Sequence, residues 1–239
     1  MNLRENIFFK ISSALFVLVE CVFWYLMLFE SDVNNELVKF LSIVLAVVFS
    51  LLYFKPNGVS SIFLSLAFAL TALADYFLAY STPIKKVPGV FVFCFVQIFY
   101  FLYLFSSCKS KKISTVHLIT RCVVVAIAIT ALFAVVGKRV DFLSFISLFY
   151  IANLVVNAIF AYVQKGELLF AIGLTLFICC DIIVGLNAAI NEYIFLSRES
   201  IWYKLAFSDF DLAWFFYLPS QVIIALSIAL KNITKKPNG

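Results

Sequence analysis

Short polar breaks divide this sequence into eight apolar segments, each close to the length of a bilayer crossing. A helix needs about 20 apolar residues to cross the hydrocarbon core, and it satisfies its own backbone hydrogen bonds there. We therefore predict an all-α, polytopic membrane bundle of eight spans. The expected spans are 11–29, 38–54, 60–80, 87–105, 118–136, 143–163, 168–190 and 212–230.

The composition agrees with one integral membrane domain that covers residues 1–239. Of these residues 64% are hydrophobic and 13% are charged, whereas soluble domains are closer to half apolar and a quarter charged. The first apolar run is too long for a signal-peptide core, and we expect it to be retained as a span. The longest loop, 191–211, mixes aromatic and charged residues, which is typical of an interfacial segment.

The net charge of +5 is explained by membrane orientation rather than by nucleic acid. Lys and Arg occur singly or in small groups, and no basic stripe follows the chain. They are more numerous at the termini and in the even-numbered loops than on the opposite side. The positive-inside rule then predicts both termini in the cytoplasm, with the protein in a plasma membrane of bacterial type.

The cysteines and the single histidine do not suggest a metal site or a disulfide framework. The six cysteines form no C-x-x-C pair, and His117 is the one histidine available to partner them. We expect no bound metal and no cofactor. The sequence also has no G-x-S-x-G elbow and no glycine-rich phosphate loop.

Three acidic residues, Glu20, Asp75 and Asp181, lie inside predicted spans. A charged group at that depth is costly and is usually kept for a function, and no Lys or Arg lies comparably deep to pair with these acids. Asp75 and Asp181 lie about 22 and 20 Å along the third and seventh spans. Because both spans run in the same direction, we predict that the two carboxyls face each other at similar depth.

Polar side chains on three other spans could complete a polar cavity around these acids. Taken singly, each could equally make a hydrogen bond between helices. The sixth span carries Ser147, Tyr150, Asn153 and Asn157 on one face of the helix. The side chains that we predict to bind substrate are Gln97, Tyr100, Asn153, Asn157, Tyr217 and Gln221.

A buried carboxyl pair suits hydrolysis through an oxocarbenium-like state. One acid donates a proton, and the other stabilises the cation or activates water. Intramembrane aspartyl proteases also use two aspartates, but their G-x-G-D motif is absent, because Cys179 and Cys180 precede Asp181.

Four segments resemble, in the same order, the motifs of one family of multi-pass membrane proteins. The third and fourth spans supply LTALADYFLAY (70–80) and PGVFVFCFVQIFYFLYLF (88–105). The seventh and eighth supply FAIGLTLFICCDIIVGLNAAI (170–190) and WFFYLPSQVIIALSI (214–228). These segments look like the motifs of the lysoplasmalogenase-like YhhN family, whose eight-span layout is also similar over nearly the whole chain.

The resemblance implies an enzyme that cleaves the vinyl ether bond of lysoplasmalogens into a fatty aldehyde and a glycerophospho head group. Its substrate would be a membrane lipid or lysolipid. By position, Asp75 and Asp181 match the motif aspartates and become the candidate catalytic pair. Tyr100, Tyr217 and Gln221 fall on polar motif positions.

The sequence departs from the family pattern at three positions. Ala74, Cys180 and Gln97 stand where the motifs have Gly, Ser and His. Because Gln does not titrate, a proton relay through position 97 would be lost. Three alternatives therefore stay open: another lipid substrate, a transporter or channel that uses the aspartates as proton or cation sites, and a catalytically lapsed scaffold.

Overall fold

The computed structural model describes residues 3–30, 34–54, 59–79, 86–192 and 197–234. Eight helices in these ranges are long and apolar enough to cross a membrane, which confirms the predicted fold class. Residue 80, the predicted end of the third span, lies outside the described residues. The helices are α1 (Leu3–Phe29), α2 (Asn35–Leu52), α3 (Val59–Ala79), α4 (Lys86–Ser107), α5 (Lys111–Val136), α6 (Phe142–Val163), α7 (Leu168–Glu192), α8 (Ile201–Ala206) and α9 (Leu212–Thr234).

Several helices extend beyond the apolar runs that predict them. The predicted fifth span begins at residue 118, but α5 begins at Lys111, where the Ser110 hydroxyl accepts a hydrogen bond from the Ile113 amide. A side-chain cap of this kind allows a polar first turn to be helical. Hydropathy locates the part of a helix that crosses hydrocarbon, and it does not locate where the helix begins.

The connection between α7 and α9 contains the short helix α8, within the segment predicted to be interfacial. Residues 193–196 of that segment lie outside the described part of the chain. Ile201 and Trp202 of α8 are exposed, which suits the boundary between water and lipid. The Asn187 amide of α7 donates to the Ala206 carbonyl at 3.1 Å and fastens α8 to the bundle.

Five of the long helices pack in a closed ring. In order around it, α3 packs on α4, α4 on α6, α6 on α7, α7 on α9, and α9 on α3. α2 packs outside the ring against α3 and α9, and α1 packs against α2 and α9. α5 packs mainly on α6 and leaves most of its surface exposed. α3 and α7 therefore face each other across the ring.

Two glycines permit the closest helix approaches in the ring. A Cβ on Gly89 of α4 would lie 2.7 Å from the Leu78 side chain of α3. A Cβ on Gly173 of α7 would lie 2.6 Å from Ile224 of α9. Small residues allow membrane helices to pack backbone against backbone, so these contacts set where α3 and α7 stand relative to their neighbours.

Candidate functional site

Both predicted catalytic aspartates line one cavity of about 230 Å³. It lies at the end of the bundle where α3 and α7 finish and α9 begins, which is also the end that carries α8. We call this the α8 end. Phe93 and Phe177 contribute apolar walls. The pair expected from the depth of the aspartates thus shares one space, although α3 and α7 are joined through α9 rather than packed side by side.

Asp75 is held by a tyrosine of the neighbouring helix. The Tyr217 hydroxyl of α9 donates a hydrogen bond to Asp75 Oδ2 at 2.5 Å. Asp75 is 8% exposed and Tyr217 4% exposed, so this bond is protected from solvent. The Tyr217 ring packs edge-on against Trp214 and Phe177, which fixes the position of its hydroxyl.

Asp181 has the same kind of partner from another helix. The Tyr150 hydroxyl of α6 donates to Asp181 Oδ2. Tyr150 is buried, with its ring near Phe93 and Phe177, whereas Asp181 is half-buried. The sequence placed Tyr150 on the polar face of its span but did not select it for the site. Its hydrogen bond to Asp181 makes it part of the site.

Asp181 also opens onto a second, larger cavity of about 930 Å³ between α5, α6 and α7. Leu78, Phe93, Val184 and Ala213 line both cavities as well, so the two spaces meet around Asp181. Asp75 lines the smaller cavity only. The two carboxyls therefore have different surroundings.

One cation stands at the mouth of the smaller cavity. Lys39, at the start of α2, has its Nζ 3.3 Å from Asp211 Oδ2 and 3.6 Å from Glu36 Oε1. The same Nζ lies 5.1 Å from the centre of the Trp214 ring. This edge of the cavity thus carries both signs of charge close to an aromatic surface.

Three of the four predicted amides, Gln97, Asn153 and Asn157, lie elsewhere, in a polar cluster between α4, α5 and α6. The Asn157 amide donates to Gln97 Oε1 at 2.9 Å and to the Gln97 carbonyl at 3.0 Å. The Asn153 amide donates to the Phe149 carbonyl at 2.7 Å. None of the three lines either cavity. Substrate contact at these positions stays a prediction.

The cluster is centred on Arg121 of α5, and this corrects the expectation that no Lys or Arg lies comparably deep to the acids. The predicted span 118–136 contains Arg121 close to its start, whereas α5 begins at Lys111 and places Arg121 well inside the membrane-crossing helix. It donates to Asn153 Oδ1 and, at 2.5 Å, to Asn157 Oδ1, and its Nη2 lies 3.1 Å from His117 Nε2. Its partners are amides and an imidazole rather than the aspartates. We name this set, with Gln97, the Arg121 cluster.

The two remaining predicted contacts, Tyr100 and Gln221, are buried but line neither cavity. The Tyr100 ring packs edge-on against Phe170, and its hydroxyl lies beside Thr71. Gln221 donates from Nε2 to Ser220 Oγ at 3.1 Å, while its Oε1 has no partner among the described residues. Both remain predicted contacts.

The third membrane acid, Glu20, is separate from the aspartates. It is 1% exposed, and the Ser42 hydroxyl of α2 donates to Glu20 Oε2 at 2.6 Å. Glu20 lines neither cavity. It joins α1 to α2 outside the ring.

The chemistry of the site lies in two carboxyls that enter one partly apolar space. A tyrosine hydroxyl engages one oxygen of each and holds the group in a set orientation. Such a pair can divide general acid and general base roles between its members. The described residues contain no group of three or more His, Cys, Asp or Glu side chains that could hold a metal ion.

The chain matches a known protein family. A model described as the YhhN family matches residues 34–228, about four fifths of the chain, and includes both aspartates. Comparison with curated proteins and with solved structures gives no match.

Proposed function

The chain belongs to the YhhN family, and from that premise we propose that it hydrolyses the vinyl ether bond of lysoplasmalogens. The products would be a fatty aldehyde and a glycerophospho head group. Members of the family include hydrolases, and the eight apolar helices make this chain an integral membrane protein. A substrate drawn from the bilayer suits a site that lies among helices.

The observation that carries the proposal is the carboxyl pair in a shared cavity. Asp75 and Asp181 come from different helices, each held by a buried tyrosine, and both face the same space. Vinyl ether hydrolysis needs an acid that protonates carbon and a base that activates water. Two carboxyls, one protonated and one ionised, can supply both functions.

The proposed reaction begins with proton transfer from one carboxylic acid to the vinyl carbon that is not bonded to oxygen. The double-bond electrons form the new C–H bond, and the adjacent carbon and oxygen share the positive charge. The other carboxylate stabilises this cation and takes a proton from the water that adds to it. The resulting hemiacetal breaks its bond to the glycerol oxygen, which receives the hydroxyl proton as the aldehyde leaves.

Their surroundings suggest different roles for the two aspartates. Asp181 lies where the large apolar cavity meets the small one, next to the space that a hydrocarbon chain could fill. We assign it the acid, because the carbon to be protonated belongs to that chain. Asp75 lines only the smaller cavity, with Lys39 at its mouth, and we assign it the base.

The test is aldehyde release from a lysoplasmalogen by the purified protein in detergent. Asp75→Asn and Asp181→Asn should each lower kcat at least about a hundredfold, the lower range for loss of general acid or base catalysis. Glu20→Gln is the matched control, because it removes a membrane carboxyl that lines neither cavity, and its kcat should be unchanged. A folded wild type that releases no aldehyde, or aspartate variants as active as wild type, contradicts the proposal.

A second measurement tests protonation at carbon. Hydrolysis in D₂O, with the aldehyde reduced as it forms, should place one deuterium on the carbon next to the carbonyl. The matching saturated ether lacks the double bond, so it should remain intact. Cleavage of both ethers at similar rates would exclude this mechanism.

We also propose that the termini lie in the cytoplasm of a bacterial-type plasma membrane, because Lys and Arg are concentrated on their side. The α8 end would then face the exterior, and lipid would reach both cavities from the outer leaflet. Reporter fusions at the two termini should report the cytoplasmic side. Reporters active only outside the membrane would reverse the orientation.

A further inference from the structure

The larger cavity is an apolar groove in the side of the bundle. It is lined by Ala128 and Ala131 of α5, Leu148 and Ile151 of α6, and Val184 of α7. Its volume of about 930 Å³ is at the upper end of the range for small-molecule sites. We call it the α5–α7 groove.

The groove exists because α5 and α7 both pack on α6 and are not packed on each other. Alanines line it on α5, and α7 adds Gly185, where a Cβ would meet nothing within 4 Å. The gap between the two helices faces the side of the bundle, where a membrane would surround it. The small side chains therefore leave a groove between α5 and α7 that is open to the side of the bundle.

The inner end of the groove is the proposed reaction centre. Tyr150 and Asp181 line it there, and Asp181 also lines the smaller cavity that contains Asp75. A chain lying in the groove would have one end beside the acid that we assign to protonate carbon. This continuity separates the groove from the other exposed apolar faces of the bundle.

The smaller cavity, on the other side of Asp181 from the groove, is charged at its mouth. Glu36 and Lys39 of α2 line it, and Lys39 Nζ lies 3.3 Å from Asp211 Oδ2. Both signs of charge thus lie on one side of Asp181, and the apolar groove lies on the other. This arrangement is complementary to a zwitterionic lipid, whose head group carries both charges and whose chain is apolar.

We propose that a single-chain zwitterionic lipid enters through the α5–α7 groove from one leaflet, and that its hydrocarbon chain stays there during reaction. The head group lies in the smaller cavity, toward Lys39 and Glu36, and the bond that joins it to the chain lies beside Asp181, where the two cavities meet. The position of the reacting bond in this inference rests on the proposed function, whereas the binding of the lipid in the groove does not.

The test compares two phenylalanine substitutions on one helix. Ala128→Phe places a ring in the groove, whereas Ala126→Phe places the same ring on an exposed part of α5 that does not line it. With a long-chain lysoplasmalogen, kcat/KM should fall at least about tenfold in Ala128→Phe, as expected for a filled apolar pocket. Ala126→Phe, as a surface change, should stay within about twofold of wild type.

A short-chain, water-soluble vinyl ether serves as the internal control for the catalytic site. Its turnover should stay within about twofold of wild type in both variants, because it does not need the groove. Gly185→Leu fills the groove from α7, where nothing opposes the added side chain, so it repeats the test if Ala128→Phe fails to fold. Long-chain turnover that survives in the folded groove variants overturns the inference.

Photolabelling separates a failure of the groove from a failure of the proposed reaction. A lysolipid with a diazirine in its chain should label the walls of α5 and α7 in wild type, and Ala128→Phe should reduce that label. If wild type cleaves no vinyl ether, the proposed function fails, while label concentrated in the groove still supports the binding site. Label spread evenly over the exposed faces of α1 and α5 contradicts the groove.

Discussion

Two of the polar clusters buried among the described helices differ in what surrounds them. Around Asp75 and Asp181, each carboxyl has a tyrosine partner and also borders a cavity. In the Arg121 cluster, by contrast, the guanidinium, two asparagines, a glutamine and a histidine bond to one another, and Gln97, Asn153 and Asn157 line neither cavity. The cavity beside the two aspartates has room for another molecule, whereas the side chains of the Arg121 cluster contact one another.

This difference separates a chemical role from a structural one. Polar groups inside a membrane protein can serve either a reaction or the contact between helices. Arg121 is the main polar link that holds the outlying α5 to α6, through Asn153 and Asn157. We therefore expect changes in the Arg121 cluster to alter stability and changes around the aspartates to alter rate.

The largest effect on stability is expected from Asn157→Leu. It leaves Arg121 without one acceptor and the fully buried Gln97 Oε1 without its Asn157 donor. Loss of a hydrogen bond to a charged group and of a buried neutral one should together cost about 3 kcal/mol. Unfolding in detergent measures the cost, while kcat per folded molecule should be unchanged.

A double-mutant cycle shows whether the loss belongs to the Arg121 cluster. Combining Asn157→Leu with Arg121→Leu should destabilise the protein by less than the sum of the single changes, because both remove the same hydrogen bond. A strictly additive double mutant would mean that the two side chains act independently. A selective fall in kcat would instead place the cluster in the reaction.

The next effect concerns rate, and it is expected from Tyr217→Phe. This change removes the hydroxyl that donates to Asp75 and leaves the ring in place. A hydrogen bond to a charged group contributes about 1.5 kcal/mol or more, so kcat should fall at least about tenfold. KM should rise as well if the hydroxyl also contacts the substrate, as the sequence predicts for Tyr217.

Tyr103→Phe provides the matched control for that measurement. Tyr103 is also buried and donates to a carboxylate, Glu167 Oε1 at 2.6 Å, but neither residue lines a cavity. Its loss should lower stability and leave kcat unchanged. If both tyrosine variants lose rate equally, the effect reflects general loosening of the bundle and not the orientation of Asp75.

The eight spans could be predicted because a bilayer crossing requires a continuous apolar run, which is visible in a single sequence. The beginning of α5 could not, because its first turns, from Lys111 to His117, are polar and look like a loop. The predicted span 118–136 therefore has Arg121 in its first turn. The structure places Arg121 well inside the helix, and its amide partners explain how the charge is accommodated there.

The shared cavity of the aspartates followed from depth and direction, which a sequence supplies once the spans are known. The partner of each aspartate did not follow, since it depends on how neighbouring helices are rotated. Tyr150 and Asn157 lie on one face of α6, yet Tyr150 contacts Asp181 of α7 and Asn157 contacts α4 and α5. The helical period shows which side chains share the polar face of α6. Helix packing decides which neighbouring helix each of those side chains contacts.

The smallest effect is expected from Gln97→His, which introduces the residue that the motif resemblance implies at this position. Gln97 is fully buried, and its Oε1 accepts from Asn157, a bond that the free nitrogen of a neutral imidazole can also accept. Because Gln97 lines neither cavity, kcat should stay within about twofold of wild type, as for a change that leaves the reacting groups untouched. The measurement is aldehyde release across the pH range in which histidine titrates, with the melting temperature as the check on folding. A higher kcat with a new pH dependence would show that position 97 exchanges protons with the aspartates, and the Arg121 cluster would then be part of the catalytic machinery.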